Sequence, residues 1–88
     1  SNIWFFGKTM NTISREALFI SNDIIIRFEI NQDGTSWWPL PTTHVITTDD
    51  LGGFVIPYIH NFGFNNMRVK IYNTSAIECR IDLFFRYS

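Results

Sequence analysis

Few side chains in this sequence could do chemistry, and their spacing does not gather them. His44, His60 and Cys79 are the only soft or borderline metal ligands in 88 residues. None stands at the short C-x-x-C or H-x-x-x-H spacings that put two donors on one ion, so a structural role is expected of each. Asp49 and Asp50 sit beside Gly52 and Gly53. A calcium loop needs oxygen donors at alternating positions, D-x-D-x-D-G, and that pattern is absent, so a solvated acidic turn is the reading. A thiol nucleophile must be an accessible thiolate near a base. Cys79 instead shares the apolar side of an alternating segment with Ile77 and Ile81, where a free thiol packs inward and stays inert. As the sole cysteine it can form no disulfide within the chain, and a bond between chains would need that face at an interface. No G-x-S-x-G elbow, no Ser/His/Asp grouping and no Gly-rich phosphate cradle stands out. Glu29, Asp33, Glu78 and Asp82 are expected to lie exposed along strands or turns. Glu78, Arg80, Asp82 and Arg86 suit cross-strand ion pairs better than acid–base work. The expectation is a protein that is not an enzyme and uses no metal or cofactor.

Aromatic rings offer the other kind of chemistry. Trp37-Trp38-Pro39-Leu40-Pro41 places two indoles side by side. Adjacent residues of a strand face opposite ways, so at least one ring is exposed, and the prolines favour a loop or an edge strand. A Trp so placed can stack on a sugar, anchor a protein contact, or plug an open end of the fold. Trp37, Trp38, Tyr58 and Tyr72 are therefore candidate ligand or partner contacts, with glycans as the ligand class. Single-stranded nucleic acid also stacks on rings, but it needs a positive groove. Seven Lys and Arg interleaved with eight Asp and Glu do not make one.

The elements that must position these residues read as strands. Ala and Leu together number six, whereas Ile, Val and Thr number twenty-four. β-Branched side chains fit a pleated surface and lose rotamer freedom in a helix. Ile24, Ile26, Phe28 and Ile30 alternate with Ile25, Arg27, Glu29 and Asn31, and Met67, Val69 and Ile71 alternate with Arg68, Lys70 and Tyr72. From Ile77 to Tyr87 the odd positions are apolar, while the even ones are Glu78, Arg80, Asp82, Phe84 and Arg86. Such period-two runs are half-buried strands. The Gly53–His60 segment also alternates, but Pro57 cannot donate to a ladder and marks an edge or a bulge. Ala17–Ile20 reads as one more short strand. Asn31-Gln32-Asp33-Gly34, Asp49–Gly53, Asn61–Asn66 and Asn73-Thr74-Ser75 punctuate the runs as turns or loops. The expected fold is all-β: a single-domain antiparallel β-sandwich of seven or eight short strands over residues 1–88, with a jelly-roll-like topology favoured.

The apolar load exceeds what so small a core comfortably hides. Hydrophobic residues make up 45% of the chain and aromatic residues 17%, with nine Phe and, by count, thirteen Ile. A domain of this size buries only roughly 60–65% of the surface its unfolded chain exposes. Ile3-Trp4-Phe5-Phe6 is an unbroken apolar run, which implies cover on both faces. It reads either as a strand of the chain's own core or, with residues 1–8, as an arm given to a neighbouring subunit. Phe84 interrupts the charged side of the last strand. Ile3, Trp4, Phe5, Phe6 and Phe84 are thus the candidate subunit interface. The expected function is a structural subunit that self-associates into a homo-oligomer, fibre or shell, with a small glycan-binding module as the alternative. No run approaches the ~20 apolar residues of a membrane helix, so membrane insertion is not expected. Eight Asn, eight Thr and only two Lys give a neutral polar surface that leans toward an extracellular setting.

Overall fold

The Ile24–Ile30 alternation becomes the middle strand of a sheet, and so does the apolar run at the N-terminus. The computed structural model describes residues 2–31, 33–60 and 66–87, giving only the backbone for 2, 57–60 and 87. Six strands follow in chain order: β1 (Asn2–Met10), β2 (Ser21–Asn31), β3 (Trp38–Thr47), β4 (Gly53–His60), β5 (Asn66–Asn73) and β6 (Arg80–Tyr87). They form two three-stranded antiparallel sheets, ordered β4-β1-β6 and β3-β2-β5. The described residues contain no helix.

Six strands stand where seven or eight are expected, and the Ala17–Ile20 segment accounts for one. It is extended, but it crosses from one sheet to the other instead of lying in either. Ala17 bridges Met10, and the Leu18 N–H donates to the Thr9 carbonyl at 3.1 Å. Ile20 then exchanges bonds with Thr48: its N–H donates to Thr48 Oγ1 at 2.9 Å, and its carbonyl accepts from the Thr48 N–H at 2.8 Å. The prolines sit where their missing N–H costs least. Pro39 and Pro41 lie in β3 and Pro57 in β4, both edge strands. Register slips opposite Ile3–Phe5, where Ile59 and Ile56 are the partners, so β4 carries one extra residue around Pro57.

The inward residues of both sheets meet in one core. Ile24, Ile26 and Phe28 of β2 are fully buried and pack with Ile3 and Phe5 of β1, Phe54 and Ile56 of β4, and Ile46 of β3. The Phe5 and Phe28 rings, from the two middle strands, lie 4.5 Å apart between centroids. Full burial of each such side chain is worth about 1.5–3 kcal/mol before entropy is counted. The sheets come closest where β3 meets β4. On the other side, β6 and β5 leave their inward residues partly uncovered. Ile81, Leu83, Met67 and Val69 are half-buried, and Ile71 and Phe85 are exposed.

Two glycines are fixed by close approach. Gly7 lies in the middle of β1, directly opposite Phe54, and a β-carbon there would run into the Phe54 ring. Gly52 has φ of +79° and presses against the Thr9 carbonyl. Thr9 in turn is fully buried, and its hydroxyl donates to the Leu18 carbonyl at 2.7 Å. Side-chain oxygens close the turns the sequence marks. Asn31 Oδ1 accepts from the Gly34 N–H at 2.6 Å, and Asp33 Oδ1 accepts from Thr35 and Ser36 at 2.9 and 2.8 Å.

Gly7→Ala is expected to destabilise the fold by about 1–3 kcal/mol through overpacking. For a domain of this length that lowers the melting temperature by roughly 4–8 °C per kcal/mol. Adding Phe54→Leu should recover part of the loss. Thermal denaturation followed by circular dichroism checks this, and an unchanged melt for Gly7→Ala would refute the contact.

Candidate functional site

Outward residues of the β4-β1-β6 sheet line up in register. Phe6 of β1 stands opposite Val55 on one side and Phe84 on the other, giving an apolar row across three strands. All three are exposed: Phe6 by 38%, Val55 by 54% and Phe84 by 60%. Charge borders the row. Lys8 stands opposite Asp82, and half-buried Trp4 stands opposite Arg86. Asp82 Oδ1 accepts from Arg80 Nε at 2.8 Å, so these two pair within β6 rather than across strands.

The candidate interface residues divide by parity. Trp4, Phe6 and Phe84 take the outer face. Ile3 and Phe5 are buried in the core. The N-terminal run therefore has one buried face, Ile3 and Phe5, and one partly exposed face, Trp4 and Phe6. Within the chain β1 is bonded to β4 on one side and to β6 on the other.

The outer face of the β3-β2-β5 sheet holds a charged cluster. Glu29, expected to be exposed, is buried. Its carboxylate accepts from Arg68 Nε at 2.7 Å and from Arg27 Nη2 at 2.9 Å. Arg68 is its direct cross-strand partner on β5. The Arg68 guanidinium lies over the Trp37 ring at 4.4 Å, and Arg27 lies over Tyr72 at 5.7 Å. Each cation–π contact of this kind is worth about 0.5–1 kcal/mol at an exposed site. The hydrogen bond from Arg68 is the main reason that the Glu29 carboxyl titrates below its ordinary value; burial acts against it, and the charges of Arg68, Arg27 and Lys70 add to the lowering.

The other residues singled out by type are not brought together. Trp38 opens β3 opposite Ile30, half exposed and one residue away from the Trp37–Arg68 stack. The Tyr58 and His60 side chains lie outside the described residues. His44 packs edge-on to Phe28 at 5.7 Å between centroids, and burial lowers its pKa. Burial pushes the Cys79 thiol up, so it keeps its proton, and it is half-buried against the core. Asp49 Oδ1 closes its own turn, accepting from Leu51 and Gly53 at 2.9 Å each. Among the described residues no three His, Cys, Asp or Glu side chains converge. No protein-family model matches the chain, and neither curated proteins nor solved structures show a significant similarity to it.

The Glu29 cluster gives stability a defined pH dependence. A carboxyl whose folded-state pKa is depressed stabilises above its unfolded value, here 4.5, and that contribution disappears as pH falls through the folded value. The denaturant midpoint of the wild type should therefore drop on acidification. Glu29→Gln should start lower at pH 7 and lack this part of the fall, so that the curves converge in acid. Urea titrations from pH 7 to pH 2 test it, and parallel curves would remove Glu29 from the account.

Proposed function

We propose that this chain is a non-enzymatic structural subunit that self-associates through the outer face of its β4-β1-β6 sheet. The observation that carries this reading is the row Val55–Phe6–Phe84, three exposed apolar side chains in register on adjacent strands with Trp4 beside them. Contiguous apolar surface with a polar rim is what protein–protein contacts use. If the contact buries about 400 Å² of apolar surface, the gross gain is about 10 kcal/mol at ~25 cal/mol/Å². Association and side-chain ordering then take a large share of it. Ile3 and Phe5 contribute by holding β1 flat against the core, so that Trp4 and Phe6 face outward together.

The same proposal extends to the architecture. The two sheets are read as a β-sandwich with the order of a jelly roll. In an eight-stranded jelly roll the sheets run 1-8-3-6 and 2-7-4-5; leaving out the first two strands and renumbering gives 6-1-4 and 5-2-3, the order found here. The two unfilled places lie beside β6 and β5, on the side where Phe85 and Ile71 are exposed.

Size-exclusion chromatography with light scattering tests the reading. The wild type should run as a multimer at micromolar concentration, and Val55→Lys, at an exposed site, should shift it toward monomer with an unchanged melting temperature. A wild type that stays monomeric at high concentration overturns it. Among the described side chains a glycan-binding role draws support from half-exposed Trp38 alone, since Arg68 covers Trp37 and Arg27 lies over Tyr72. Tryptophan fluorescence titrated with a panel of polysaccharides would favour that role only if a shift appears and Trp38→Ala abolishes it.

A further inference from the structure

Each sheet ends in two edge strands, and an exposed edge is a template for pairing with another chain. Three of the four are blunted. β3 carries Pro39 and Pro41, and β4 carries Pro57 at a bulge. β5 points Arg68 and Lys70 outward, so two copies laid antiparallel would set cation against cation in every central register. β6 has no proline, its register with β1 runs unbroken from Arg80 to Tyr87, and its outward charges are of both signs.

The order of those charges is self-complementary. Two antiparallel copies of β6 related by a two-fold axis at Phe84 pair position 82 with 86, 83 with 85 and 84 with itself. Asp82 then faces the partner's Arg86 twice over, and the Phe84 rings meet between the two ion pairs. On the inward side Leu83 faces the partner's Phe85. Moving the axis to Leu83 would instead set Arg80 against the partner's Arg86, a like-charge pair. Among the described residues Arg86 makes no ion pair, while Asp82 is bonded to Arg80 and stands opposite Lys8. The row Val55–Phe6–Phe84 would continue unbroken into the second copy.

We propose that β6 is the docking edge for a second copy of this chain, joined antiparallel about Phe84 into one six-stranded sheet. This rests on the self-association reading and adds to the face contact a second contact at the β6 edge, which leaves Val55, on the opposite edge strand, uncovered. An isologous contact of this kind closes on itself, so the product is a dimer. Longer assemblies would need a second surface.

Single cysteines in a Cys79→Ser background read the register directly. Phe84→Cys should form an interchain disulfide under mild oxidation, because its twin lies directly across the axis. Asp82→Cys and Lys70→Cys should not. Asp82→Arg should weaken dimerisation about tenfold or more, by setting cation against cation on both sides of the axis, and Arg86→Asp added to it should restore most of the affinity. A wild type that associates while Phe84→Cys fails to cross-link, or while the double reversal gives no rescue, overturns the β6 edge and leaves self-association standing. A monomeric wild type removes both.

Discussion

The stacking of Phe5 on Phe28 joins the two halves of the molecule. Each ring comes from the middle strand of its sheet, and each middle strand is held by neighbours on both sides. With those rings in contact, Ile24, Ile26 and Ile56 have a dry interior to fill. The parity of β1 is then decided as well. Phe5 inward means Ile3 inward, Gly7 inward beneath the Phe54 ring, and Trp4 and Phe6 outward. A one-residue slip would exchange the two faces and drive Lys8 toward the core. The outer apolar row is therefore a consequence of how the core is packed.

Much of the inner architecture could be read from period-two patterns, because burial on one face imposes them. β2, β4 and β5 fall within two residues of the segments that alternate, and β6 begins three residues into its own, with Ile77, Glu78 and Cys79 outside the strand. The N-terminal run was less legible. Its four apolar residues resemble a strand covered on both faces, yet Phe6 is exposed and Trp4 only half-buried. Ala17–Ile20 is apolar but becomes a crossover, since its hydrogen bonds are shared between Thr9 of β1 and Thr48, just past the end of β3. Glu29 was misplaced for a related reason. Alternation puts it on the outer face, but nothing local reveals that Arg68, thirty-nine positions along, would fold over it. Cross-strand partners become visible only once register is known.

The two outer faces differ in character. On β3-β2-β5 Arg27 and Arg68 share Glu29 and lie over the Tyr72 and Trp37 rings, while Val45, opposite Ile25, stays exposed. On β4-β1-β6 the exposed side chains in register are apolar, and neighbouring charges frame them without covering them. A surface of the first kind is satisfied within the chain in part. One of the second kind carries a hydrophobic cost in water that a partner would relieve.

The pairing of β1 with β6 joins the two ends of the chain: Ile3 lies beside Tyr87 and Phe6 beside Phe84. β1 is thus the centre of a sheet whose second neighbour, β6, lies far along the sequence. Until β6 is made, Ile3-Trp4-Phe5-Phe6 has only β4 to pair with. Contacts so distant in sequence carry a loop-closure cost before any reward arrives, which slows folding. Until that ladder closes, Ile3-Trp4-Phe5-Phe6 is a short extended apolar segment of the kind that chaperones bind.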